Sequence, residues 1–144
     1  AAMALSFYGI TLKPDDLLRY CDANNLDRHV LEDIDKVLEH FGLRDDSGYN
    51  FTIRQIKMHL ADGNPVIVQG NFTPNGHIIL VIGFDPKAGT FICMDPDGDH
   101  KIGYGIGPTD GDHVEYPSQW FRASAAPDDP NHETGVWAHL LRRP

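Results

Sequence analysis

The chain has 144 residues, 41% hydrophobic and 23% charged, which suits one domain with a real apolar core. Twelve basic against 21 acidic residues leave a net charge of −9, which excludes nucleic acid and anionic membrane as default partners because either needs a basic face. No apolar run approaches the roughly 20 residues that span a bilayer, and Cys21 and Cys93 are too few for a disulfide framework.

Ala1 to Tyr8 read as the C-terminal half of a helix that is apolar on almost every side, with Gly9 as its C′ residue. Such a helix is expected to be buried. It has no N-cap, so its start is expected upstream of Ala1 and the domain is read as N-terminally incomplete. Lys13–Asn25 reads as a second helix, with Pro14 in its first turn and acidic residues at its N-terminus. His29–Phe41 carries Val30, Ile34, Val37, Leu38 and Phe41 at helical spacing, and Gly42 ends it. Arg44–Asn50 reads as a polar loop. Thr52 is the expected N-cap of a short helix reaching Leu60.

From Asn64 the pattern changes. Residues 65–70, 77–84 and 90–95 are short apolar runs bounded by Gly, Pro, Asn or Asp, which are strand signals. Asp85-Pro-Lys-Ala-Gly89 is turn chemistry, so the second and third runs are expected to form an antiparallel hairpin. Lys101–Ile106 reads as an irregular strand, Pro117–Arg122 as a helical turn, Ala125–Glu133 as a loop and Thr134–Leu141 as a final strand. The expected class is α+β: a single domain over 1–144, with helices over 1–62 packed on an antiparallel sheet over 63–144.

His77 opens one strand of the hairpin and Asp95 closes the other, so the two are expected to be neighbours. A carboxylate beside a histidine, bonded through Nδ1–H, fixes the ring and stabilises its conjugate acid, as a general base requires. A strand-end histidine bonded to a turn aspartate for structure alone is the plainer alternative. Asp95-Pro-Asp-Gly-Asp99 alternates carboxylates as a calcium loop does. It lacks the twelve-residue spacing and the terminal glutamate, and reads better as a Pro-Asp-Gly turn. His77, Asp95, His100 and His113 allow a zinc site, but no HExxH or CxxC accompanies them and no metal is expected. Asn50-Phe-Thr52 and Asn71-Phe-Thr73 match glycosylation sequons, a pattern that arises often by chance. Trp120, Phe121 and Trp137 read as core or groove-wall aromatics.

Ala2-Met-Ala-Leu-Ser-Phe-Tyr-Gly9, Asn64-Pro-Val-Ile-Val68, Gly76-His-Ile-Ile-Leu-Val-Ile-Gly-Phe84 and Met94-Asp-Pro96 resemble the bacteriocin (double-glycine) leader peptidases and their stand-alone relatives. These are papain-like cysteine peptidases, and the resemblance spans roughly residues 1 to 105. It implies a helix N-terminal cysteine as nucleophile, His77 as its base, Asp95 as the residue orienting His77, and an upstream glutamine in the oxyanion hole. The cysteine is expected about five residues before Ala1. Cys93 shares a strand face with Asp95 by alternation, but a strand interior lacks the dipole that lowers a thiol pKa at a helix N-terminus.

The resemblance implies hydrolysis of peptide bonds in a peptide or protein substrate, without a cofactor. The nucleophile is then supplied from upstream or by a separate chain. A peptidase-like module that only binds peptide or scaffolds an assembly is the alternative. In the enzyme reading, Ala1 lies at the mouth of a cleft whose far wall carries His77 and Asp95, with Trp120 along its edge.

Overall fold

Helix α1 spans Ala2–Phe7 and stops where a left-handed residue closes it. Gly9 has φ +82, its N–H donates to the Ser6 carbonyl at 2.9 Å, and the Ile10 N–H donates to the Leu5 carbonyl at 3.0 Å. This six-to-one bond over a positive-φ glycine is the Schellman ending. Ala4, Leu5 and Tyr8 are buried, but Phe7 is 41% exposed. The helix is therefore buried on one face, not all round.

The computed structural model describes residues 1–104 and 111–144. Helix α2 (Pro14–Ala23) begins at Pro14, and α3 (Leu31–His40) buries Leu31, Ile34, Val37 and Leu38 at the helical period. The segment expected as a polar loop is instead strand β1 (Arg44–Phe51). Helix α4 (Ile53–Ala61) starts on a capping box: Thr52 Oγ1 accepts from the Gln55 N–H, and Gln55 Oε1 accepts from the Thr52 N–H.

Strands β2 (Val66–Gly70), β3 (His77–Asp85) and β4 (Thr90–Met94) follow, then β5 (Val114–Pro117), α5 (Ser118–Ala125) and β6 (Val136–Arg142). The helical turn expected at Pro117–Arg122 is thus the start of a longer helix. The strand expected at 101–106 is not formed by Lys101–Tyr104, which run through turns, and its last two residues lie outside the described ones.

All strand pairs are antiparallel, in the order β1-β6-β2-β3-β4-β5. Alternation along the strands divides the core in two. Val66, Val68, Ile79, Val81, Phe91 and Cys93 point to the face covered by α4 and α5. Ile67, Leu80 and Leu141 point to the face covered by α1, α2 and α3. The helices before residue 62 therefore do not form one layer: α4 has crossed to the opposite face. The fold is α+β, with helices on both faces of an antiparallel sheet. No helix among the described residues is long and apolar enough to cross a membrane.

Candidate active site

The β3–β4 hairpin fixes the site. Leu80 pairs with Met94, so extending the register by one step sets Ile79 opposite Asp95 and leaves His77 diagonal to it. At that separation an imidazole spans the gap, and His77 Nε2 lies 2.6 Å from Asp95 Oδ1. The bond runs through Nε2, not through Nδ1 as the sequence reading had it. Nδ1 faces the carboxylate of Asp97 at 3.4 Å. The His77 side chain is 9% exposed and that of Asp95 is 0% exposed.

A buried carboxylate needs donors, and Asp95 has them on both oxygens. Oδ1 also accepts from the Asp97 backbone N–H at 3.0 Å. Oδ2 accepts from the Tyr104 hydroxyl at 2.7 Å and the Tyr116 hydroxyl at 2.6 Å. Burial alone raises the Asp95 pKa, but the bonds from His77, Tyr116, Tyr104 and the Asp97 N–H carry it below the usual carboxylate value. For His77, burial disfavours the charged ring. The bond and charge of Asp95, with the charge of Asp97, outweigh it and leave the imidazole pKa raised. Both phenols are pushed above their ordinary value, first by burial and then by the bond to Asp95.

Aromatic rings enclose the pair. Tyr104 meets the His77 ring edge-on at 5.4 Å, and His100 stacks on Trp120 at 4.1 Å. Tyr116 meets Trp120 edge-on at 4.9 Å. Tyr104 and Tyr116 carry no role in the sequence analysis, and His100 enters it only as a possible zinc ligand. The available signal was the alternation Val114-Glu-Tyr116 before a proline, which marks Tyr116 as an inward strand residue.

The two thiols stand apart from this arrangement. Cys93 is fully buried in the core, and burial followed by the charge of Asp95 lifts its pKa far above normal. Cys21 sits in α2, its pKa also raised, first by burial. Cys21 lines an apolar cavity of about 420 Å³ between α1, α2, α3 and the sheet. Ala1 and Ala2 line that cavity together with Ile78 and Pro96, the residues directly after His77 and Asp95. The cavity wall thus carries the neighbours of the pair, not the pair itself. Trp120 belongs to the opposite core, over His100, and is not at the cavity edge.

Asp95-Pro-Asp-Gly-Asp99 is a turn. The Gly98 N–H donates to the Asp95 carbonyl at 3.2 Å, and Asp99 Oδ1 accepts from the Lys101 N–H at 2.9 Å. His113 is exposed and pairs with Asp112 at 2.5 Å. Among the described residues no three His, Cys, Asp or Glu side chains are grouped to hold a metal ion.

Helices on an antiparallel sheet, with a histidine presented to a carboxylate across neighbouring strand ends, make this a peptidase-like domain of the papain-like class. Within that class, residues 1–111 match the Peptidase_C39 like family, and the chain belongs to it. Comparison with curated proteins finds no match to this chain.

Proposed function

We propose that this chain carries the acid–base half of a cysteine peptidase. The supporting observation is the 2.6 Å bond between His77 Nε2 and Asp95 Oδ1, made between side chains that are only 9% and 0% exposed at the end of the β3–β4 hairpin. In this reading Asp95 orients His77 and stabilises its cationic form. His77 Nδ1, on the other side of the ring, takes the proton of a thiol, and the thiolate attacks the peptide carbonyl. The proton then goes to the leaving amine. The cysteine and the oxyanion-hole glutamine lie in residues upstream of Ala1 or come from a separate chain. Burial and raised pKa speak against both Cys21 and Cys93 as the nucleophile.

The 144-residue chain is then expected to show no peptidase activity, and His77→Ala is expected to leave that background unchanged. A longer chain with an upstream cysteine is expected to cleave peptides, and to stop on His77→Ala or on thiol alkylation. Hydrolysis by the 144-residue chain that resists alkylation defeats this reading.

The alternative reading is a domain that binds peptide without cleaving it. Ser, Ala or Gly at the upstream cysteine position, together with saturable peptide binding, distinguishes it.

A further inference from the structure

We propose that Tyr104 and Tyr116 are positioning residues: their hydroxyls occupy Asp95 Oδ2, so that Oδ1 alone faces His77 and the ring presents Nδ1 as its free base. This rests on the reading of His77 and Asp95 as an acid–base pair.

A carboxylate has two oxygens and about four lone-pair positions. Asp95 is 0% exposed in its side chain, so water does not fill them. Two are taken on Oδ1 by His77 and the Asp97 N–H, and two on Oδ2 by the phenols. Rotating the carboxylate would exchange two N–H donors for two O–H donors fixed on different elements. Tyr116 is itself immobilised: it is fully buried, and its oxygen accepts from the His100 backbone N–H at 3.1 Å. With that lone pair used, its O–H points to Asp95 at 2.6 Å in preference to the Gly98 carbonyl at 3.3 Å.

The consequence falls on the imidazole. An ionised Asp95 accepts only, so the neutral ring must keep its proton on Nε2. Nδ1 is left with a lone pair. When the ring gains a second proton there, the exposed carboxylate of Asp97 lies 3.4 Å away to meet it. Because burial and Asp95 raise both phenol pKa values, the phenols remain donors throughout the range in which His77 titrates.

The test uses the isotope-labelled 144-residue chain and needs no turnover. Carbon NMR follows Asp95 protonation, and long-range nitrogen couplings report the His77 tautomer. The wild-type ring is expected to carry its neutral-form proton on Nε2. Tyr104→Phe and Tyr116→Phe are each expected to move Asp95 protonation to higher pH, and the double variant further. Trp120→Phe, in the same aromatic group but without a bond to Asp95, is expected to leave it in place. A tyrosine variant that keeps a folded spectrum and the wild-type Asp95 titration overturns the proposal, as does an Nδ1–H tautomer in the wild type. If Tyr116→Phe does not fold, the half-buried Tyr104 carries the test alone. These readouts are independent of whether an extended chain cleaves peptides, so either reading can fail without the other.

Discussion

Asp95 and Gly111 are locked back to back. The Asp95 N–H donates to the Gly111 carbonyl at 2.9 Å, and a β-carbon on Gly111 would lie 1.9 Å from the Asp95 carbonyl oxygen. Gly111 also has φ +77, where an L side chain is strained by roughly 1–2 kcal/mol before any contact is counted. The clash is with backbone, which cannot swing aside. Gly111→Ala is therefore expected to lower the unfolding midpoint and displace Asp95 from His77. Calorimetry reads the first effect and the His77 ring resonances read the second. A variant with unchanged His77 resonances refutes the coupling.

The pair should also set a pH dependence of stability. His77 has a folded pKa above its unfolded 6.5, so its contribution is fully present below 6.5 and is lost as pH rises through the folded value. Asp95 has a folded pKa below 3.8, so its contribution is present above 3.8 and is lost as pH falls through the folded value. The stability gap between wild type and His77→Ala is expected to be wide near pH 5.5 and narrow near pH 9. Urea unfolding at those two values decides it. An equal gap at both contradicts the raised His77 pKa.

How far the site was legible follows from what each residue's signal depends on. His77 and Asp95 were readable because both sit at the ends of one hairpin, and antiparallel pairing brings such ends together. Tyr104 and Tyr116 reach Asp95 from a turn and from β5, so only tertiary structure unites them. The choice of Nε2 over Nδ1 depends on the diagonal register, which a strand pattern does not specify. Strand β1 was read as a loop because Arg44-Asp-Asp-Ser-Gly-Tyr-Asn50 is polar and lies at the sheet edge. Its one strand partner among the described residues, β6, lies at the far end of the sequence: Arg44 pairs with Arg142. The crossing of α4 to the other sheet face has no sequence signal either, since its apolar stripe resembles those of α2 and α3.

A second buried pair is expected to matter for folding more than for chemistry. Asp45 on β1 bonds His139 on β6, and both side chains are 0% exposed. Burial raises the Asp45 pKa, against the bond and charge of His139 and with the charges of Glu39 and Asp46. Removing one member leaves the other buried without its partner, which costs about 3–5 kcal/mol. His139→Leu and Asp45→Leu are each expected to lose stability on that scale, and the double variant less than either alone. A double-mutant cycle in urea measures it. Additive losses would show that the two side chains act independently.

The two thiols differ in how they can be reached, which bears on where a nucleophile can come from. Cys93 is fully buried, and its neighbours Val81 and Val114 close it from both adjacent strands. Burial and the charge of Asp95 keep it protonated, and a thiol reacts as thiolate. Its alkylation must therefore wait for the sheet to open, at a rate set by global unfolding. Cys21 is 7% exposed, in a helix that lines the apolar cavity, and needs only a local opening there. Iodoacetamide followed by mass spectrometry is expected to modify Cys21 well before Cys93, and both more slowly than a free thiol. Adding urea below the unfolding transition should accelerate Cys93 in proportion to the unfolded fraction. If Cys93 were instead modified rapidly in the native chain, it would be an accessible thiolate two residues from Asp95. Cys93 would then be a candidate nucleophile within the chain.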